Sequence, residues 1–209
     1  MARSHDQSPV TGVLLAGGQS RRMGRDKRFL DVGGMPLFHR VLSVFDRLFP
    51  EVLVVVADHA VELPGAGHRV LTDRIPGCGS LGGLYTGLLE ASHPRVFAAA
   101  CDMPFLNASL IAHMMVLDVT AEVVMAKLAN GVHPMHAVYA KTCLPLMEAM
   151  LKSGQLKIQS LLQESSVSVH LLSEEEARVF DPDLLSFLNI NTPADLEFAR
   201  KVARDRQAT

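Results

Sequence analysis

The chain has 209 residues, 48% of them apolar and 20% charged, with a formal net charge of −2 and no tryptophan. That composition supports one domain with a full core and excludes an intrinsically disordered chain. It carries no bulk charge to draw it to nucleic acid or an anionic membrane, its longest apolar runs fall far short of a membrane span, and any anion site must therefore be local.

The polar opening MARSHDQSPV lacks the apolar segment of a signal peptide and reads as a flexible arm over residues 1–10. Cys78, Cys101 and Cys143 are odd in number and widely spaced, the pattern of reduced thiols. Both features predict a cytoplasmic protein. Residues 11–205 are expected to form one domain.

TGVLLA (11–16) is a short apolar run ending at glycines, a buried strand. Apolar residues at helical spacing predict an amphipathic helix over 36–48. EVLVVVA (51–57) is apolar on both faces, as central parallel strands are. HRVLTD (68–73) is a third strand, followed by a Gly-rich loop and a helix over 81–91. RVFAAACD (95–102) is the fourth strand, and Asn107 caps a helix running to Leu117. AEVVMAK (121–127) and HPMHAVYA (133–140) are joined by Asn130-Gly131, a hairpin signal. Helices near 142–152 and 157–164 precede a strand, VSVHLL (167–172). The acidic SEEEAR (173–178) reads as a solvated helix start, and FLNIN (187–191) as an edge-like strand. Thr192-Pro193-Ala194-Asp195 then opens a last helix running to about Arg204. Alternating strands and helices predict an α/β fold: a three-layer sandwich around a mostly parallel, Rossmann-like sheet with a late antiparallel hairpin.

In such sheets ligands bind beyond the carboxyl ends of the strands, where the loops 16–27, 73–83 and 102–106 would meet. Gly17 and Gly18 let the backbone approach a flat or anionic ligand, and Arg22 and Lys27 supply cations for phosphate oxygens. A glycine turn followed by a solvated basic loop is the plainer alternative. The spacing G-x4-G-K-[ST] is absent. A literal G-x-G-x-x-G at Gly77, Gly79 and Gly82 follows the third strand, and is read as close approach of a helix rather than a dinucleotide fingerprint. Asp102 ends a central strand, where a buried carboxylate needs a partner. Mg²⁺ would be one; a helix cap or an arginine would be another. Asp73, also at a strand end, has the same readings, with ribose or base contact added. His133 and His136 lack further zinc ligands at sensible spacing, and on a strand they would point to opposite faces. They are read as structural.

LLAGGQSRRMGRDK (14–27) resembles the signature of nucleotidyltransferases acting on cofactors and sugars, and its paired glycines are similar to those of molybdenum cofactor guanylyltransferases. GSLGGLYTGL (79–88), ACDMPFL (100–106), HPMHAVY (133–139) and NINTPADL (189–196) resemble that family's later segments, in order. The resemblance implies a nucleotide-diphospho-sugar transferase-like fold with a nucleotide half over about 11–106 and an acceptor half over about 107–205. It implies transfer of GMP from GTP to the terminal phosphate of molybdenum-molybdopterin, with pyrophosphate leaving and Mg²⁺ as cofactor. Leu15, Ala16, Gly17, Gly18, Ser20 and Gly82 would bind the nucleotide, Arg22 and Lys27 the triphosphate, and Asp73 the nucleoside. Asp102 would hold the metal, and Asn189 and Asn191 would face the acceptor. The implied partners are GTP, molybdopterin and molybdoenzyme maturation proteins, without nucleic acid or membrane. Ser80 stands where the family often has proline, and Ala57-Asp58-His59 where a relative has an asparagine contact; either Asp58 or His59 would replace it, or the contact would be missing. Two other readings remain: cytidylyl or sugar-phosphate nucleotidyl transfer on the same fold, and a non-catalytic nucleotide-binding module. A side chain at Gly17 would crowd a purine, which favours guanine; intact Arg22, Lys27 and Asp102 argue against a decayed site.

Overall fold

The computed structural model describes residues 9–17, 26–57, 63 and 67–207. Seven strands alternate with six α-helices: β1 (Val10–Leu15), α1 (Leu37–Leu48), β2 (Glu51–Val56), β3 (Arg69–Thr72), α2 (Gly79–Glu90), β4 (Arg95–Ala100) and α3 (Ala108–Leu117) come first. The hairpin β5 (Val123–Leu128) and β6 (Gly131–Ala140) leads into α4 (Leu144–Ser153), β7 (Val169–Ser173), α5 (Glu174–Phe180) and α6 (Pro193–Gln207). The strands form one sheet in the order β3-β2-β1-β4-β6-β5-β7. Only β6 runs against its neighbours β4 and β5; β1, β2, β3 and β4 pair in parallel, as do β5 and β7. The expected single-domain α/β sandwich with a late hairpin is the one found. Of the expected arm, all but its last two residues lie outside those described, and Val10 already belongs to β1.

Period-two alternation builds a core on each face of the sheet. Leu14 and Ala16 pack with Phe38, Phe45 and Phe97 under α1 and α3. Val13 and Leu15 face the other way, against Leu84 and Leu88 of α2 and Met147 of α4. Glycine lets α2 lie close: a Cβ on Gly87 would stand 2.4 Å from Val13 Cγ1. A third cluster joins α6 to Leu37 and Phe105 through Leu196 and Ala199, with Ile190 at its centre.

Two segments differ from the sequence reading. Residues 187–191 do not join the sheet. Left-handed Leu184 turns the chain into a 3-10 turn, Leu185–Phe187, and Ile190 is drawn into the α6 cluster, so its neighbours stay off the sheet edge. The expected helix near 157–164 is likewise a 3-10 run, Ile158–Gln163, following the left-handed Gly154 that ends α4. The Ser173 start holds a capping box with Glu176. Among the described residues, no helix is long and apolar enough to cross a membrane.

Candidate active site

The carboxyl ends of the strands are laced together by backbone hydrogen bonds. Ala16 N donates to Val55 O at 2.8 Å, Cys101 N to Leu15 O at 3.0 Å and Asp73 N to Val56 O at 2.8 Å. Beyond this rim lies a cavity of about 410 Å³, walled by Leu15, Gly17, Asp73, Gly79, Gly83 and Asp102 among others. It brings together the three strand ends that the sequence reading singled out. Gly17 leaves little room for a side chain even without a ligand: its Cβ would lie 3.1 Å from Ala57 N, so the backbone there would have to give by a few tenths of an ångström. Ala16 is buried beside it. Ser80 also lines the cavity. Gly18, Ser20, Arg22, Asp58 and His59 lie outside the described residues.

Asp73 is held on one side. Its Oδ1 accepts from Ile75 N at 3.0 Å and from Thr86 Oγ1 at 3.2 Å, while Thr86 Oγ1 accepts from Arg74 N at 3.0 Å. Gly82 does not reach the cavity wall. It sits behind Asp73, where a Cβ would stand 2.8 Å from Asp73 Oδ2 and 3.0 Å from Ile75 O. Its place in the site is to let α2 pass under this carboxylate.

Asp102 stands at the end of β4. Burial pushes its carboxyl above the ordinary range, and the ammonium of Lys27, 3.7 Å from Oδ2, pulls against that. Lys27 comes from a 3-10 turn, Lys27–Phe29, capped by the Asp26 side chain. Its Nζ also donates to Asn191 Oδ1 at 2.9 Å. Asn191 reaches that point because Ile190 N donates to the backbone carbonyl of Asp102 at 2.9 Å. Asp195 Oδ2 accepts from Asn191 N at 2.9 Å and Thr192 N at 2.8 Å, and Asp195 N donates back to Thr192 Oγ1 at 3.2 Å. The expected helix start is thus also a bracket for Asn191. Asn189 Oδ1 is buried without a hydrogen-bond partner, a polar atom open to a ligand or water.

Among the described residues no three His, Cys, Asp or Glu side chains cluster closely enough to hold a metal. A divalent cation at Asp102 would have one protein carboxylate and would complete its shell with phosphate oxygens and water, a pattern that suits Mg²⁺. The carboxylate fits: it is partly exposed at the cavity and its charge is poorly solvated.

His133 and His136 do not point apart. Both rings lie against Phe187, with centroids 4.8 and 4.6 Å away. The pairing of β5 with β6 slips here: Met125 and Lys127 face Ala137 and Val132, so two steps on one strand answer five on the other. The extra residues bulge and cancel the alternation. His136 is wholly buried, its ring nitrogens have no partner, and burial lowers its pKa to about 3.

Sequence reasoning missed Thr86, one of three hydroxyls in a Gly-rich helix, and the paired Asp26 and Arg28. Arg28 was one more cation in a basic stretch, and nothing in its spacing marks it as one held by Asp26 and the Ala16 carbonyl.

The sequence matches the MobA-like NTP transferase domain over residues 12–169. The chain belongs to this family. It is 36% identical over 198 residues to a probable molybdenum cofactor guanylyltransferase of Pelotomaculum thermopropionicum, covering 94% of each chain. It is 35% identical over 192 residues to the molybdenum cofactor guanylyltransferase of Desulfosudis oleivorans, covering 91% of this chain and 94% of the other. Among solved structures, molybdopterin-guanine dinucleotide biosynthesis protein A from Archaeoglobus fulgidus superposes with a TM-score of 0.81 at 26% identity, over 94% of this chain and all of that one. As a MobA-like NTP transferase, the chain is a nucleotidyltransferase, and the cavity at its strand ends is where such a family member would hold its nucleotide.

Proposed function

We propose that the protein transfers GMP from GTP to the terminal phosphate of molybdopterin carrying molybdenum, releasing pyrophosphate and forming a guanine dinucleotide cofactor. The observation that carries this reading is the cavity rim itself. An ammonium, Lys27, and a half-buried carboxylate, Asp102, meet 3.7 Å apart beside a glycine-lined cavity. The chain that builds it matches named guanylyltransferases along nearly its whole length.

The acceptor phosphate is already an anion, so its oxygen needs no general base to attack the α-phosphorus. The bond from the α-phosphorus to the bridging oxygen breaks and pyrophosphate departs with the electron pair. The obstacle is charge: two anions must meet. Lys27 would stabilise the departing pyrophosphate, and Asp102 would hold Mg²⁺, which neutralises charge on the α-phosphate when bound. Arg22 would share the triphosphate. Leu15, Ala16, Gly17, Gly18 and Ser20 would line the nucleotide, with Gly82 behind Asp73, and Asp73 would contact the nucleoside. Asn189 and Asn191 would face the acceptor. The same reading extends to a cytoplasmic enzyme that passes its product to molybdoenzyme maturation proteins. The free state of Cys78, Cys101 and Cys143 agrees with a reducing compartment.

The test is pyrophosphate release with molybdenum-loaded molybdopterin as acceptor, comparing GTP with CTP, ATP and UTP, with and without Mg²⁺. The reading expects turnover with GTP that stops when Mg²⁺ is chelated. Preference for CTP would move the protein to cytidylyl transfer, and absence of turnover with all four would return it to nucleotide binding alone.

A further inference from the structure

Arg28 has no part in the chemistry above, yet its side chain is only 15% exposed. Its Nε lies 2.8 and 3.0 Å from the two carboxylate oxygens of Asp26, its Nη2 bonds the same carboxylate, and its Nη1 donates to Ala16 O at 3.2 Å. Asp26 Oδ1 also accepts from Arg28 N at 3.0 Å, which caps the turn carrying Lys27. A guanidinium at such a place is costly unless its donors are met, and here Asp26 and one carbonyl meet them. The outcome is a brace between two parts of the cavity rim. One end is Ala16, the residue just after β1; the other is the turn that delivers Lys27.

The brace has two geometric consequences. In a trans peptide the C=O and the following N–H point opposite ways. Fixing Ala16 O on Arg28 therefore turns the Gly17 N–H away from Arg28 and sets the peptide plane at the cavity wall. Fixing Asp26 sets the turn, and with it the root of Lys27, whose ammonium must serve Asn191 and Asp102 together. We infer that Arg28 is a positioning residue, which through Asp26 and Ala16 O holds Lys27 and the Gly17 peptide in register for nucleotidyl transfer. The inference rests on the reading of this cavity as a nucleotide site. A lysine at 28 would keep the charge but not the planar fork that spans Asp26 and Ala16 at once.

The test compares wild type with Arg28→Ala, Arg28→Lys, Asp26→Ala and the double variant Asp26→Ala/Arg28→Ala. The readouts are kcat and KM for GTP, thermal midpoints, and ¹⁵N-lysine spectra of the nucleotide-free protein. Misplacing Lys27 should lower kcat/KM by roughly 10-fold to 100-fold in Arg28→Ala. Arg28→Lys should fail to rescue it, and the double variant should be little worse than Arg28→Ala, because the pair acts as a unit. The Lys27 ammonium protons, slowed in exchange by the Asn191 bond in wild type, should be lost from the spectrum of both Arg28 variants. Wild-type rates in Arg28→Lys, or an unchanged Lys27 signal in either variant, would overturn the inference. If wild type turns over no GTP, the proposed function fails, while the lysine spectrum still decides the positioning role. If Arg28→Ala does not fold, Arg28→Lys carries the same measurements.

Discussion

Lys27 Nζ donates to Asn191 Oδ1 at 2.9 Å, across 164 residues of chain. One partner comes from the turn after β1 and the other from the lead into α6, and the carboxylate of Asp102 lies 3.7 Å from the same ammonium. The proposed nucleotide side and the proposed acceptor side therefore share one cation.

Removing the acceptor of that bond should slow transfer without unfolding the protein. Hydrogen bonds to charged groups contribute about 1.5–3 kcal/mol, so Asn191→Ala should lower kcat/KM by roughly 10-fold to 100-fold. Asn191 is exposed, so its thermal midpoint should hardly move. Steady-state kinetics beside a melting curve checks both halves.

Asp102→Asn keeps the shape of the side chain and removes its charge. The Ile190 N–H bonds the backbone carbonyl of Asp102, not its carboxylate, so the lead into α6 should stay docked. Turnover should fall by roughly 10²–10³-fold or more, with an intact fold. Near-normal turnover, measured by pyrophosphate release, would dismiss Asp102 as the metal carboxylate.

Gly82→Ala tests whether Gly82 acts through Asp73. The added Cβ would meet Asp73 Oδ2 at 2.8 Å and the fixed carbonyl of Ile75 at 3.0 Å. Overpacking of this kind costs about 1–3 kcal/mol. Urea unfolding should show that loss, and KM for the nucleotide should rise as Asp73 is displaced. A rise in KM with no change in stability would instead place Gly82 against the ligand directly.

His136 should make stability depend on pH. Burial lowers its folded pKa from 6.5 to about 3, so the open chain takes up a proton that the folded ring refuses. Above pH 6.5 the ring is neutral in both states and adds no pH dependence, and stability falls as pH drops from 6.5 towards 3. The slope from this one group is at most about 1.4 kcal/mol per pH unit. Unfolding free energies at pH 7 and 5 should differ by less in His136→Leu than in wild type. An equal difference would assign the acid sensitivity to other groups.

Most of the architecture was legible because it is written in local patterns. The Val-rich run of β2 has to be buried on both faces, Asn130-Gly131 has to turn, and Thr192 with Asp195 has to cap. The segment 187–191 misled because its alternation is the same whether an apolar residue faces a sheet or a helix; here Ile190 faces α6. The histidines misled for a related reason. A rule about alternation holds only while the strand stays regular, and the one mark of the slip between Met125 and Lys127 is Pro134, which cannot donate to the ladder and sits in the bulged stretch. Within the site, Asp73, Asp102 and Lys27 could be found because their types are unusual where they stand. Thr86 and Arg28 could not, because what makes them matter is a partner brought by the fold: Asp73 for one, Ala16 O for the other.

The bond from Ile190 N to Asp102 O carries a lesson about where this protein can be cut. The match to the family model ends at residue 169, yet the chain beyond that point is anchored on the backbone of Asp102 and hands Lys27 its partner. A fragment trimmed to that match would keep all the strand ends but β7's, and would lose the Asn191 that Lys27 donates to. For this molecule, the end of the family-model match and the end of the chain that steadies Lys27 are different lines.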